Sequence, residues 1–157
     1  MTIKVDIGCG AGKLEDCIGI DIYKTDDVDI LASATNLIFK DNSVDYIYTR
    51  ECIQHIRDSD VKALTEMCRV LKPEGIAEII VSSFYGWFFW KIGISSRQYR
   101  VFRLYTDHLL RRKLNKIGFR NCVLTHVFIP KNYLTSKKLL RHVKLQYHDI
   151  KAICQKR

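Results

Sequence analysis

The run Ile3-Lys4-Val5-Asp6-Ile7-Gly8-Cys9-Gly10-Ala11-Gly12 decides how the rest of the chain is read. Ile3, Val5 and Ile7 form a short β-prone segment with no room for a helix, and three glycines then fall within five residues. A buried strand that runs into a glycine-rich loop puts bare backbone at the carboxyl end of a sheet. Glycine has no Cβ and tolerates positive φ, so a ligand can come close to the main chain there. Open α/β sheets bind their ligands at that edge. The spacing excludes two common phosphate loops: it is not GxxxxGK followed by Ser or Thr, and Lys13 stands where GxGxxG needs its third glycine. An ordinary strand and turn stays open at this point.

At 157 residues the chain is long enough for one domain with a real core and too short for two, so residues 1–157 read as a single domain. Its 47% of hydrophobic residues is ordinary for a globular protein. No charged-then-apolar leader precedes the first strand, so a cytoplasmic location is expected. Cys9, Cys17, Cys52, Cys68, Cys122 and Cys154 are scattered singly, without a CxxC pair or a His at zinc-ligand spacing. They read as reduced thiols and small core residues, and no metal is expected. The net charge of +9 is unevenly spread. Residues 1–96 hold 10 Lys and Arg against 15 Asp and Glu, a balance of −5, whereas residues 97–157 hold 16 against 2, a balance of +14. A basic half can meet phosphates or an acidic partner, or be a solvated surface.

Further along, Lys13 to Cys17 is too short for the helix of about ten residues that normally crosses between parallel strands. Ile18 to Asp21 and Val28 to Leu31 read as a second and a third, very short, strand. A turn cluster at Lys40 to Ser43 precedes the β-prone run Val44 to Thr49, strand four. Asp58 is expected to cap a helix reaching about Leu71, with Val61, Leu64, Cys68 and Leu71 on one face. Pro73 and Gly75 stop that helix, and Ile76 to Val81 follows as strand five. Residues 82–105 crowd Phe84, Tyr85, Trp87, Phe88, Phe89 and Trp90 ahead of Arg97, Arg100 and Arg103. The segment is too short for a transmembrane helix. Thr106 is expected to cap a helix with Leu110, Leu114 and Ile117 buried and Gly118 at its end. Phe119 to Ile129 and Tyr147 to Gln155 complete the chain as strands six and seven.

Several stretches, in register and in order, resemble the class I S-adenosylmethionine-dependent methyltransferases of the type 11 kind. Asp6 to Gly12, DIGCGAG, resembles motif I. Phe39 to Asp45, FKDNSVD, resembles "PFPDNSFD", and Arg69 to Gly75, RVLKPEG, resembles "RVLKPGG". Leu109 to Phe119, LLRRKLNKIGF, resembles the helix before strand six. Glu51 to Ile56 matches "HxLEHI" only partly, since Glu51 and Gln54 replace His and Glu. The resemblance spans nearly the whole chain. It implies an α/β, Rossmann-like fold with a mostly parallel seven-stranded sheet of order 3-2-1-4-5-7-6, strand seven antiparallel and the first crossovers shortened.

It also implies S-adenosyl-L-methionine as cofactor. Asp6, Gly8, Cys9 and Gly10 are then expected along the cofactor, the glycines admitting its methionyl end. Asp21 would hold the ribose hydroxyls, with Ile22 beside it. Ser33 and Ala34 would meet the adenine, Ser33 standing where the family often has Asp. Thr49 and Arg50 would form the floor near the sulfur.

Methyl transfer mainly requires that nucleophile, methyl and sulfur be held in line and water excluded. The expected function is therefore in-line methyl transfer to a small-molecule or lipid-like acceptor, with Glu51, His55 and Tyr85 facing the substrate and no catalytic residue assigned. A His at the end of a short helix is more often a capping or packing group than a base, so His55 is assigned no catalysis. Residues 82–105 would form a substrate lid or a membrane-facing insertion, or pack as an aromatic core. An RNA methyltransferase using the basic half, and a non-catalytic scaffold that kept the fold, are the alternatives. The shortened crossovers leave the sheet face near strands one to three short of cover, where a homodimer or a membrane contact is expected.

Overall fold

The computed structural model describes residues 2–83, 103–128 and 148–157. At its centre β1 (Lys4–Ile7), buried at Val5, Asp6 and Ile7, pairs in parallel with β2 (Ile18–Asp21) on one side and β4 (Val44–Arg50) on the other. β3 (Ile30–Leu31) extends the sheet beyond β2, and β5 (Leu71–Ser82) beyond β4, both in parallel. β7 (His148–Lys156) runs antiparallel between β5 and β6 (Phe119–Phe128). The strand order is therefore β3-β2-β1-β4-β5-β7-β6, as the sequence implied. Successive parallel strands place the carboxyl ends of β1, β2, β4 and β5 along one edge, with the β1 and β4 ends adjoining.

The crossover from β1 to β2 is built of turns: residues 8–17 contain no helical turn. Side-chain-to-backbone bonds hold it instead. The buried Asp6 carboxylate accepts from the Leu14 N–H (2.8 Å), and Asp29 accepts from both the Gly19 N–H (2.7 Å) and Lys13 Nζ (2.8 Å). A β-carbon on Gly19 would lie 2.3 Å from the Asp27 carbonyl, so β2 can pass this loop only with glycine there.

Helix α1 (Asp60–Val70) departs from expectation at both ends. Asp58 is not its cap: it sits at φ 52° in the preceding reversal, and Ser59 takes the cap position without a side-chain cap bond. The buried face begins with Asp60 itself and continues through Ala63, Leu64, Met67 and Cys68, a spacing of i, i+3, i+4, i+7, i+8. With Asp60 turned inward, Val61 faces out and is 48% exposed. The helix stops at Val70 because Leu71 already pairs with Val44 as the first residue of β5. Strand five is thus longer than Ile76 to Val81. It absorbs Pro73 and Gly75 in an irregularity, with Glu74 at φ 63°, before regular pairing resumes at Ile76 opposite Tyr46.

Helix α2 (Asp107–Ile117) follows its sequence signals. Thr106 Oγ1 accepts from the Leu109 N–H (3.3 Å), Gly118 ends the helix at φ 125°, and Leu110 and Leu114 are buried while Ile117 is partly covered. One core joins Val5, Ile7, Ile20, Ile47 and Ile79 of the sheet to Leu64 and Met67 of α1 and to Leu110 and Leu114 of α2. Near β3 the surface carries Ile22, Tyr23, Leu31 and Ile38, exposed by 60, 74, 60 and 65%. Most of the expected insertion, including Tyr85, and the Ile129 and Tyr147 ends of strands six and seven lie outside the described residues.

Candidate cofactor site

The loop after β1 turns back over the end of β2. The Gly8 N–H donates to the Ile20 carbonyl (2.7 Å), and the Cys9 N–H shares that acceptor (3.3 Å). Gly8 and Gly10 have φ of 75° and 57°, a region that favours glycine. The two glycines differ in what surrounds them. A β-carbon on Gly8 would lie 2.4 Å from Cys52 Sγ and 2.5 Å from Cys52 Cβ, because the end of β4 presses against the loop. A β-carbon on Gly10 would meet nothing within 4 Å. Gly8 is therefore glycine for packing, and Gly10 presents its backbone to open space.

Asp21 ends β2 beside that space. Its Oδ2 accepts from the Gly10 N–H (3.0 Å) and its Oδ1 from the Tyr23 N–H (3.0 Å). Each carboxylate oxygen keeps a second acceptor site, so the pair is fixed in orientation yet able to receive two more hydrogen bonds. Thr25 Oγ1 donates to the Gly10 carbonyl (2.6 Å) and closes the loop from the other side. Ile22 offers an exposed apolar surface next to Asp21.

The structure gives other expected residues a different part. Asp6 lies beneath the loop, where burial pushes its carboxyl pKa up while the Leu14 N–H opposes the shift. The Cys9 thiol turns toward the Asp27 carbonyl (3.7 Å), and burial, with the charges of Asp6 and Asp21, raises its pKa to about 11. Thr49 is buried and its hydroxyl donates to the Ile7 carbonyl (2.8 Å), tying the ends of β1 and β4 together. Ser33 Oγ is engaged in its own turn, with Thr35 Oγ1 at 2.9 Å and the Thr35 N–H at 3.2 Å, and Ala34 is buried. Asp6 and Thr49 thus support the loop and the floor from behind. Gly10, Asp21, Ile22 and the exposed Arg50 border the open side.

Past the end of β4, Glu51 has φ 53°, a strained conformation for a side chain of this kind, and its N–H donates to the Ile80 carbonyl (2.9 Å). Ser82 Oγ lies 2.8 Å from Glu51 Oε1 and 3.0 Å from Oε2, so the last residue of β5 orients the carboxylate. Cys52 follows, its thiol pKa pushed up to about 12 chiefly by burial. The 3-10 turn Ile53–His55 follows and carries a partly exposed His55. The Cys52 contact with Gly8 and the Ser82 contact with Glu51 join residues 44 or 31 positions apart, which no local pattern announces.

Comparison with known proteins bears on the fold and on the first half of the chain. Residues 5–79 match the family model described as a methyltransferase domain. The phosphoethanolamine N-methyltransferase 2 of Caenorhabditis elegans is 32% identical over 95 residues, an alignment that covers 48% of this chain and 22% of that protein. The chain thus spans under a quarter of the length of that curated relative. Among solved structures, a "possible histamine N-methyltransferase" from Thermotoga maritima superposes with a TM-score of 0.70 at 20% identity, covering 100% of this chain and 83% of that one. The Haemonchus contortus phosphoethanolamine N-methyltransferase 2, in complex with phosphomonomethylethanolamine and S-adenosylhomocysteine, gives 0.66 at 19% identity, covering 99% and 49%. The mostly parallel sheet of order β3-β2-β1-β4-β5-β7-β6, with an antiparallel β7 and a glycine loop facing a strand-end carboxylate, is a Rossmann-like methyltransferase fold. The sequence match over residues 5–79, just under half of the chain, is to a methyltransferase domain, and the fold is shared with S-adenosylmethionine-dependent methyltransferases of known structure.

Proposed function

We propose that this chain binds S-adenosylmethionine along the carboxyl ends of β1, β2 and β4 and supports methyl transfer to a small-molecule acceptor. The observation that carries this reading is the open position at Gly10, held at φ 57° against the Asp21 carboxylate. The cofactor supplies a methyl group already activated on a sulfonium. Gly10 would admit its methionyl end, and Asp21 would take the two ribose hydroxyls with its remaining lone pairs. Ile22 would cover one face of the adenine, and the Ser33–Ala34 turn would border it. Arg50, with Thr49 beneath, would limit the site toward β4.

Glu51 is the group of this chain best placed to handle an acceptor. It stands at the end of β4 in a strained conformation, with both oxygens oriented by Ser82. A carboxylate there would attract an amine and accept the proton that the nitrogen must lose on methylation. His55, three residues beyond the strained Glu51–Cys52 link, would serve the same side as a second polar group. The relatives named as phosphoethanolamine N-methyltransferases support a small, nitrogen-bearing acceptor.

The test is calorimetric titration of the purified chain with S-adenosylhomocysteine. Micromolar binding that Asp21→Ala weakens by at least about tenfold, as loss of charge-assisted hydrogen bonds requires, is the expected result. No binding up to millimolar ligand would overturn the proposal.

A second reading has one observation in its favour. His108, Arg112 and Lys116 fall at i, i+4, i+8 on the exposed side of α2 and make no ion pair among the described residues. A row of this kind suits a nucleic-acid backbone, and an RNA acceptor would show affinity falling steeply with added salt.

A further inference from the structure

Away from the cofactor edge, β6 and β7 bring two of the six cysteines together. Arg120 pairs with Gln155 and Val123 with Ile153, which leaves Asn121 and Cys122 facing the single residue Cys154. This is a bulge in β6, the edge strand of the sheet. Asn121 takes φ 51° there, and its Nδ2 donates to Gln155 Oε1 (2.8 Å). Arg120, Asn121 and Val123 are exposed, so Cys122 is the residue of the bulge that turns inward. It joins the core at 7% exposure, and Cys154 does so at 0%. The Cys154 thiol donates to the Cys122 sulfur, and the Cys122 thiol donates to the Arg120 carbonyl (3.8 Å). Arg111 of α2 reaches over the bulge, its Nη1 donating to the Cys122 carbonyl (2.6 Å).

Opposed residues of an antiparallel pair stand about 4.5–5.5 Å apart between α-carbons, inside the range of about 4.4–6.8 Å that a disulfide spans. The two sulfurs can therefore join without a shift of either strand. Their environments also divide the chemistry. The hydrogen bond from Cys154, and then the charge of Arg111, hold the Cys122 thiol below its ordinary pKa against the opposing effect of burial. Donating that bond, together with burial, pushes Cys154 up. Cys9, Cys17, Cys52 and Cys68 are all raised, chiefly by burial. Thiolate is the form that attacks an oxidant, so Cys122 is the first of the six to react. A bulged edge strand also opens locally at less cost than the central strands, which admits a small oxidant to the pair.

We propose that Cys122 and Cys154 are an oxidative modification site, a dithiol that a peroxide closes to a disulfide across β6 and β7 and that a thiol reductant reopens. Cys122 gives up its proton and its sulfur attacks one peroxide oxygen; the O–O bond breaks, and the leaving hydroxide takes up a proton to become water. The sulfenic acid left on Cys122 is attacked by the Cys154 sulfur, the S–S bond forms, and the second hydroxide leaves as water with the Cys154 proton. Two thiols are oxidised by two electrons and one peroxide is reduced to two waters. Cys154 pairs with Ala77, five positions before Ser82 on β5, so the bond forms well back from the carboxyl edge that carries Gly10 and Asp21. Its effect is to staple the edge strand, joining positions 32 apart in the chain.

The test treats the full chain, reduced and desalted, with hydrogen peroxide at neutral pH and digests it with trypsin in the absence of reductant. Mass spectrometry should find the peptide 121–131 joined to the peptide 152–156 as the main disulfide, lighter by two hydrogens than the two free peptides, and dithiothreitol should separate them. Cys154→Ser should leave on Cys122 a sulfenic acid that dimedone traps, whereas Cys122→Ser should leave Cys154 unmodified. The oxidised parent should melt about 5–10 °C above the reduced parent, a difference absent from both variants. Thiols at 122 and 154 that stay free under peroxide, another pair as the main product, or a melting temperature that does not rise when the bond forms would overturn the site. The peptide map of the parent decides the question even where a variant fails to fold.

Discussion

Gly8 and Gly10 are two residues apart in one loop, both at positive φ, yet replacing each with alanine should harm different properties. Either substitution forces an L-residue into the left-handed region, at about 1–2 kcal/mol. At Gly8 the new methyl would also lie 2.4 Å from Cys52 Sγ and 2.5 Å from Cys52 Cβ, closer than carbon and sulfur can approach. Overpacking of that kind costs roughly 1–3 kcal/mol more, because the loop or the end of β4 must move. Gly8→Ala should therefore lose about 2–5 kcal/mol of stability. For a domain of this size that is a fall in melting temperature of about 5–15 °C.

At Gly10 the methyl meets no atom within 4 Å, so only the backbone term remains and the melting temperature should drop by a few degrees. The methyl would nevertheless occupy the space assigned to the cofactor. S-adenosylhomocysteine affinity should fall by more than about tenfold, a loss above 1.4 kcal/mol. Differential scanning calorimetry and ligand titration on both variants make the measurement. Gly8→Ala as stable as the parent would refute the close packing of loop and β4. Undiminished binding by Gly10→Ala would refute the placement of the cofactor over that residue.

Four further expectations follow from individual contacts. In Asp60, burial pushes the carboxyl pKa up, but bonds from Lys113 and Tyr105 and the charges of Lys113 and Arg103 outweigh it, so the folded value lies below the ordinary one. Its stabilisation is then full above the unfolded value of about 3.9 and is lost as pH falls through the folded value. Asp60→Asn should cost about 3 kcal/mol at pH 7, and melts repeated toward pH 3 should show the gap to the parent closing. Thr106→Ala removes the bond to the Leu109 N–H and should cost about 1 kcal/mol in a denaturant titration. With pKa values near 11 and 12, Cys9 and Cys52 should stay largely unlabelled by iodoacetamide at pH 8, and labelling of Cys9 should accelerate as pH approaches 11. Glu51→Gln should lower turnover of an amine acceptor by about 100-fold while leaving S-adenosylhomocysteine affinity unchanged, as measured by radiolabelled methyl transfer beside calorimetry.

The elements of the sheet were legible in the sequence because their signals are local, and their order was implied by the family resemblance. β1 running into three glycines, the acidic end of β2, the turn before β4 and the Thr106 to Gly118 helix each declare themselves within a dozen residues. Asp21 was legible for the same reason, as a carboxylate at a strand end next to a glycine loop. The boundary of α1 was not, because Asp58 and Ser59 are equally good caps locally. The choice fell to Asp60, whose partners Arg103, Tyr105 and Lys113 lie 43 to 53 residues away. The rotation that exposed Val61 followed from the same long-range cluster.

Roles within the site divided along the same line. The family resemblance could assign Asp6, Cys9, Thr49 and Ser33 to the neighbourhood of the loop, but not which way each side chain turns. Thr49 turned to the Ile7 carbonyl, Cys9 toward Asp27, and Ser33 into its own turn. Gly8 and Gly10 look alike as letters, and only the approach of Cys52 from β4 makes one a packing requirement and the other an open cradle. The sequence by itself determined which elements form and in what order along the chain, since strand periodicity, caps and glycine turns act over a few residues. Tertiary structure alone decided which polar groups are buried, paired or left facing open space, because those depend on atoms that meet only once the sheet has closed.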